Sequence, residues 1–456
     1  MNDVYWEVPS TISLEALLKD KPPSFRWKKI DFFYHILHHI TVLTEYADLD
    51  NNAAFVNISA TYLQSFNHSY KQYLDYLIEQ NIIVTDHYFI PGKKSTGYKL
   101  SPLCGYGADI LFIRVKDSIC RRKMFTEKRT THAKSQKEYP ALTKWFNIHL
   151  SIARAGAIAK VDELFPPQTG GIRGTLRYHR QYARRPDAAS KRLKALGAVN
   201  RFARKDFYYS IDETVGRFHS NLTNIKRELR HYITYNNQIL VNIDIKSAQP
   251  FFSQLLLTEK FYETKAKLFS IHQFPSIINI LTQSTTNNNS ISHYMMLVKA
   301  VQKADIQEFM LYFNLVKSGY FYEGLHKILY PKEKMFNKGL FKQEVYRLLF
   351  SKNRAQTELK KRFKAKFPHT YNIFALYRRM DHTVMARLLQ KIESTVMIQM
   401  VANRIARERP ELPIFTIHDS IATTLGNEEY VKLVVVEETE RLTGLQPKVG
   451  IEVWTN

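Results

Sequence analysis

Two short apolar runs, each ending on an aspartate, constrain this chain more than any other feature. The first is ILVNIDIKSAQPFF, residues 239–252. It reads as a strand that delivers Asp244 near its end, followed by a helix-like run after Pro250. The second is LPIFTIHDSIATT, residues 412–424. It reads as a strand, a tight turn at His418-Asp419-Ser420 and a returning strand. A carboxylate at a strand end, matched by another on a hairpin turn, can share divalent cations. Hard oxygen ligands suit Mg²⁺, which keeps waters and substrate phosphates as its other ligands. Two such ions stabilise an in-line phosphoryl displacement. Taken singly, an aspartate at a strand end is more often a cap or turn residue.

A third segment, KEKMFNKGLFKQEVYRLLFSKN, covers residues 332–353. Lys338, Lys342, Tyr346 and Phe350 recur in it every four residues, which keeps them on one slowly drifting helix face. Two cations followed by two aromatics suit a helix that holds a triphosphate at one end and a base and sugar at the other. The competing reading is an amphipathic helix with lysines whose stems lie along its apolar face.

Charge sharpens the argument. The 456 residues include 66 Lys+Arg against 42 Asp+Glu, a formal net charge of +24. Such an excess calls for a polyanion, and nucleic acid is the usual partner. The charge is uneven. Residues 173–205 carry eleven Lys/Arg and one acid, Asp187, whereas Glu411 to Asn456 carries eight acids and three bases. That asymmetry fits a binding face plus a separate site. Two cysteines, Cys104 and Cys120, exclude a disulfide scaffold or a Cys-rich zinc module and fit a reducing compartment. The N-terminus MNDVYWEVPS lacks a basic segment followed by an apolar run, and no stretch of about 18 apolar residues occurs, so a cytoplasmic protein with no membrane partner is expected.

Upstream, residues 31–46 show apolar positions at helical spacing, and 57–80 read as two short helices with Ser59 and then Asn67 or Ser69 as N-caps. The pattern then turns strand-like through IIVTDHYFI and YKL, around Gly92 and a basic tip at Lys93 and Lys94. Three helices and a hairpin with a basic tip resemble a winged helix-turn-helix over residues 31–101. The resemblance implies one helix in the major groove and the hairpin on the backbone; docking on a protein surface is the alternative. Residues 113–150 are basic and polar, and 151–205 look helical and Arg-rich.

Taken together, the segments resemble family A DNA polymerases and their relatives, the phage-type single-subunit RNA polymerases, over about residues 206–456. The stripe Lys338, Lys342, Tyr346, Phe350 resembles that family's fingers helix, although the family usually starts it with Arg and ends it in Tyr-Gly. Asp244 resembles its first catalytic aspartate, and His418-Asp419 its His-Asp signature. TVGRFHSNLTNIKRELRHYI, residues 214–233, is similar to its Gly-Arg-x-x-Ser stretch, and LLQKIESTVMIQMVANRIARE, residues 388–408, to the helix before the His-Asp hairpin. The closing VKLVVVEETERLTGLQPKVGIEVW resembles its last helix and strand.

The resemblance implies an α+β right-hand polymerase, with an antiparallel palm sheet and helical fingers and thumb, preceded by the winged helix. The expected division is 1–110 winged-helix-like, 111–205 basic linker and thumb-like helices, and 206–456 palm and fingers. Asp244, the Ile245 carbonyl and Asp419 would hold two Mg²⁺ ions, with Mn²⁺ as the alternative. Lys338 and Lys342 would hold the triphosphate, Phe350 would stack near the nascent pair, and Tyr346 would sense the sugar. Arg217, Ser220, Gln390 and His418 would contact the primer–template. Gln249 stands five residues after Asp244, where the DNA-synthesising members place a Glu gate against the ribose 2′-hydroxyl and the RNA polymerases place Gly. Its bulk favours dNTPs, while the Ser after Asp419 is more like the RNA polymerases. The implied function is template-directed nucleotidyl transfer, most simply by a DNA polymerase of a mobile element, plasmid or phage. The alternatives are an RNA polymerase or primase-like enzyme of the same fold, and a non-catalytic DNA-binding replication initiator. No acidic constellation of a proofreading exonuclease precedes the polymerase-like part, and no adjacent Asp-Asp pair marks a reverse transcriptase.

Overall fold

The computed structural model describes residues 4–27, 29–46, 55–92, 94–101, 104, 109–167, 188–264, 269–282, 292–333 and 335–455. Lys93 and much of the Arg-rich run before Ala188 lie outside them. The chain forms two compact units: Met1–Ser210 with His219–Asn237 and Trp454–Asn456, and Ile211–Phe218 with Gln238–Val453. Among the described residues no helix is long and apolar enough to cross a membrane.

In the first unit, β1 (Tyr5–Pro9) and α1 (Leu14–Asp20) precede α2 (Asp31–Tyr46). Then come β2 (Val56–Asn57), α3 (Ala60–Phe66), α4 (Tyr70–Glu79), β3 (Ile83–Thr85), β4 (Gly97–Leu100) and β5 (Ile110–Arg114). Strands β2, β4 and β3 form an antiparallel sheet in that order, with Ile83 opposite Leu100 and Val56 opposite Tyr98. The helices and hairpin thus follow the order read from the sequence. Ser59 and Ser69 stand at the expected N-cap positions, but neither side chain makes a cap hydrogen bond. The hairpin's Lys94 is tied down: its ammonium lies 2.5 Å from Asp86 and over the Tyr88 ring.

Strand β1 pairs with β5 from Tyr5↔Arg114 to Pro9↔Ile110, straddling residue 110. Helix α2 packs on β1 and on α7 (Ala188–Ala203). Two contacts fix this arrangement. The Trp6 indole donates to Asp31 at 2.8 Å, and Arg201 pairs with Glu7 at 2.9 Å, all four side chains being buried. The stretch expected to be basic and polar contains one long helix, α5 (Ser118–Glu138), and α6 (Arg154–Leu164) follows it. The Asp117 side chain caps α5 by accepting from the Ile119 and Cys120 amides.

The second unit is built on a four-stranded antiparallel sheet and a cluster of helices. Central strand β6 (Gln238–Ile245) is flanked by β8 (Ser420–Thr424) and β9 (Val449–Val453), and β7 (Ile414–Ile417) pairs with β8. Leu240, Val241 and Ile243 are fully buried, which explains why this strand reads as a continuous apolar run. Ser247 adopts φ +52° and turns the chain from β6 into α8 (Ala248–Ser253). The helices that matter below are α9 (Phe321–Leu329), α10 (Lys338–Phe350), α11 (Glu358–Lys366), α12 (Pro368–Tyr377), α13 (Val384–Ser394) and α14 (Glu428–Thr443). Helix α13 continues into a π-helical stretch, Thr395–Ala402. It packs against both α8 and α10.

Candidate active site

Asp244 and Asp419 reach the same end of the sheet for local reasons. In β6, Asp244 stands opposite Ser420 of β8 and Gly450 of β9. The register Ile417↔Ser420 makes His418-Asp419 a two-residue hairpin loop, and the Ile245 amide donates to the Asp419 carbonyl at 3.5 Å. His418 has φ +56°, a region that glycine normally fills at this kind of turn. Such a non-glycine conformation costs on the order of 1–3 kcal/mol and persists where the surroundings over-determine it.

The Asp419 carboxyl senses Asp244. Burial pushes the Asp419 carboxyl above its ordinary range, and the Asp244 charge adds to it, while Lys342 and Arg217 pull it back. A buried carboxyl raised by a neighbouring acid and faced by two cations forms a site that gains from an added positive charge. Asp244 already has one cationic neighbour: its oxygens lie 3.3 and 3.4 Å from the Lys246 ammonium. Gly450 makes room for both. A β-carbon there would sit 2.1 Å from Lys246 Nζ and 2.8 Å from Asp244 Oδ1.

Beside this pair lies a carboxylate that sequence reading missed. Glu393, on α13, is 1% exposed. Its two oxygens accept from Arg217 Nη2 and Gln249 Nε2, each at 2.5 Å. Burial raises its carboxyl to about 7 against the pull of Arg217, and the charge of Asp419 reinforces the rise. Arg217 comes from a tight turn closed by Gly216 N–H to Asp212 at 2.7 Å, with Gly216 at φ +73°. The Ser394 hydroxyl donates to the Val215 carbonyl at 2.6 Å and pins that turn to α13. Gln249 comes from α8, which packs on α13, so three separate segments converge on Glu393. The sequence signal was there: Glu393 interrupts the buried set Val384, Met385, Leu388, Leu389, Ile392 and Val396. Gln390, chosen instead, is half-buried one turn earlier.

Helix α10 turns most of its stripe outward, with Phe350 half-buried. It buries Phe341, Val345, Leu348 and Leu349 and leaves Lys338, Lys342 and Tyr346 exposed, so the stripe does not face the core. Asn337 caps it by accepting from the Leu340 amide at 3.0 Å. The Lys342 ammonium lies 5.6 Å from the Tyr346 ring centre, and the Tyr346 and Phe350 rings are 6.0 Å apart. Lys338 is engaged by Glu323 of α9 at 2.8 Å. Tyr322, also on α9, links stripe and sheet. Burial holds its hydroxyl proton well above the phenol range, with Tyr346 and the Asp419 charge adding to the effect.

Ser220 is placed differently. It is fully buried in the first unit as the N-cap of a short helix, accepting from the Leu222 amide while Thr223 Oγ1 accepts from its own amide. Among the described residues, no three His, Cys, Asp or Glu side chains group as a ready-made metal cage. The fit to a divalent cation therefore rests on the Asp244–Asp419 pair and the carbonyl between them in the chain, at Ile245.

No family model and no curated protein matches this chain. Among solved structures it is similar to the POL domain of Pol1 from M. smegmatis, in a complex with DNA primer-template and dNTP. Identity is 9%, the alignment covers 69% of each chain, and the TM-score is 0.38.

Proposed function

We propose that this chain is a template-directed nucleotidyltransferase, most simply a DNA polymerase. The observation that carries the reading is the pair Asp244 and Asp419, brought to one end of the sheet by β6 and the β7–β8 hairpin, with Lys342 and Arg217 pulling the Asp419 carboxyl back down. Asp244, Asp419 and the Ile245 carbonyl offer the hard oxygen donors that Mg²⁺ or Mn²⁺ takes. Bound there, divalent cations supply charge stabilisation for an attacking hydroxyl and a departing pyrophosphate. The chain's own residues bind and orient. Lys342 holds the triphosphate, and Tyr346 and Phe350 give the base and sugar an aromatic surface. Lys338 adds its charge after leaving Glu323. Arg217 and Gln249 are fixed by Glu393, so they meet the primer end and incoming sugar without losing side-chain freedom. On this reading the four-stranded sheet is a palm, and α9 to α12 are fingers. The helices and hairpin of residues 31–101 are a winged helix that contacts DNA, and His418 and Gln390 lie toward the duplex.

One observation favours ribonucleotide use. The Gln249 amide spends its NH₂ on Glu393, while its Oε1 is buried with no partner among the described residues. A buried acceptor without a donor is costly, and a ribose 2′-hydroxyl is a donor. The test is primer extension with Mg²⁺ on a labelled primer–template, with dNTPs and rNTPs in separate lanes. Extension by dNTPs supports the DNA polymerase, and extension by rNTPs alone turns Gln249 from a gate into a sugar contact. Tight DNA binding without extension by either would replace the enzyme with a binding protein.

A further inference from the structure

In the first unit, the turn end of the β3–β4 hairpin departs from what its lysines suggest. Lys94 does not reach outward: its ammonium is held by Asp86 and lies 4.5 Å from the Tyr88 ring centre. The hairpin presents an adjacent aromatic pair instead, Tyr88 and Phe89, 54% and 61% exposed. Single exposed apolar residues are ordinary on a protein surface. Two neighbouring rings held out by a fastened backbone are a different matter.

The fastening comes from several directions. Asp86 Oδ1 accepts from the Tyr88 amide at 3.0 Å and, across the hairpin, from the Gly97 amide at 2.8 Å. The His87 amide donates to Thr85 Oγ1 at 3.2 Å. Ile90 and Lys94 exchange both backbone hydrogen bonds at 2.9 Å. Gly97 is needed for this packing, because a β-carbon there would sit 2.5 Å from Asp86 Oδ2 and 2.8 Å from Phe55 Cβ. His87 stands at φ +50°, a conformation that a non-glycine residue keeps only where its surroundings over-determine it. The backbone beneath the two rings is therefore ordered in advance, which leaves less freedom to lose on binding.

Charge gives the chemistry of the partner. From His87 to Ala108 the sequence holds Lys93, Lys94 and Lys99 and no acid. In the same unit, α5 carries seven Lys/Arg against two acids, and it is fastened to α3: Lys123 donates to the Ser65 carbonyl and lies 5.0 Å from the Phe66 ring centre. Basic surface together with exposed rings matches a polyanion whose units carry flat bases, each with a π-face on which an aromatic side chain can stack. In a duplex those faces are already stacked on one another; in a single strand they are open. We propose that Tyr88 and Phe89 form a stacking platform for unpaired bases, so that the hairpin takes hold of a nucleic-acid strand by its bases and not by its backbone alone. This rests on the reading of residues 31–101 as a DNA contact, and it stands whether or not the chain polymerises.

The experiment uses the full chain in EDTA, so that no divalent cation takes part. Fluorescence anisotropy gives the affinity for a labelled oligo(dT) and for a labelled blunt duplex, each over a range of salt. The proteins are the wild type, Tyr88→Ala, Phe89→Ala and the double variant Tyr88→Leu/Phe89→Leu, which keeps apolar bulk and removes the rings. Both positions are exposed, so the melting temperature of every variant should stay within a few degrees of the wild type. Oligo(dT) affinity should fall at least about fivefold in each variant, the leucine pair included. Its salt dependence and the duplex affinity should not change, because no phosphate contact is lost. Oligo(dT) affinity that is unchanged in all three variants, while the wild type binds, overturns the platform and leaves the DNA contact standing. Equal losses on strand and duplex assign the tip to the backbone and also overturn it, as does full affinity in the leucine pair, which assigns a merely apolar surface of the kind a protein partner covers. A wild type that binds neither probe overturns the proposal and the DNA contact together.

Discussion

Glu393→Gln isolates the cost of burying a carboxylate between Arg217 and Gln249. Glu393 is 1% exposed, and burial raises it from an ordinary value of 4.5 to about 7 despite the Arg217 guanidinium. The folded state therefore prefers the neutral acid. An acid whose folded value is raised adds stability that is fully present below about pH 4.5. That stability is lost as pH rises through about 7. Each tenfold is worth about 1.4 kcal/mol, so the displacement amounts to about 3 kcal/mol across this window. Gln keeps the shape and cannot ionise. The variant's stability relative to wild type should thus rise by about 3 kcal/mol between pH 4.5 and pH 8, whatever constant offset the new amide brings. Urea unfolding in metal-free buffer, followed by far-UV circular dichroism at both pH values, measures it. All four tryptophans, Trp6, Trp27, Trp145 and Trp454, belong to the first unit, so their fluorescence serves as the internal control. Parallel pH profiles for wild type and Glu393→Gln would refute the reasoning.

Four further outcomes follow from the structure. Gly450→Ala places a methyl 2.1 Å from Lys246 Nζ and 2.8 Å from Asp244 Oδ1; nucleotide incorporation should fall at least about tenfold while the melting temperature stays within a few degrees. Ser220→Ala removes a helix cap and should cost about 1 kcal/mol in urea unfolding, with primer–template affinity unchanged. Lys342→Ala should raise KM for the triphosphate about tenfold or more, and Lys338→Ala by less, because Lys338 is held by Glu323; steady-state kinetics gives the ratio. In the first unit, burial lowers His35 to about 3, and its ring stacks on Phe66 at 3.9 Å. A base with a lowered folded value adds stability above about pH 6.5 that is lost as pH falls toward 3. His35→Phe should therefore move the tryptophan-reported acid transition down by about half a pH unit or more.

How much of this was legible in the sequence depends on the range of the forces involved. The strands carrying Asp244 and Asp419 were readable, because both are buried and their side chains form continuous apolar runs. The exposed stripe of α10 was readable, because a four-residue spacing is a local property. The closing helix and strand, α14 and β9, stand where the resemblance of the last segment implied them. Glu393 was not read, since its role depends on Arg217, 176 residues earlier, and Gln249, 144 residues earlier. Ser220 looked like a contact residue because capping serines and exposed serines share one local pattern. Strand β1 carried no visible partner, because its pairing with β5 spans about a hundred residues of chain.

The central claim is that Asp244 and Asp419 form one catalytic centre. Single-nucleotide incorporation with Mg²⁺, measured for wild type, Asp244→Asn, Asp419→Asn and the double variant, tests it most directly. Residues that act as one unit are non-additive, so each single variant should lose at least about a thousandfold, and the double variant should lose little more. Incorporation retained by either single variant, or losses that multiply in the double, would contradict the account.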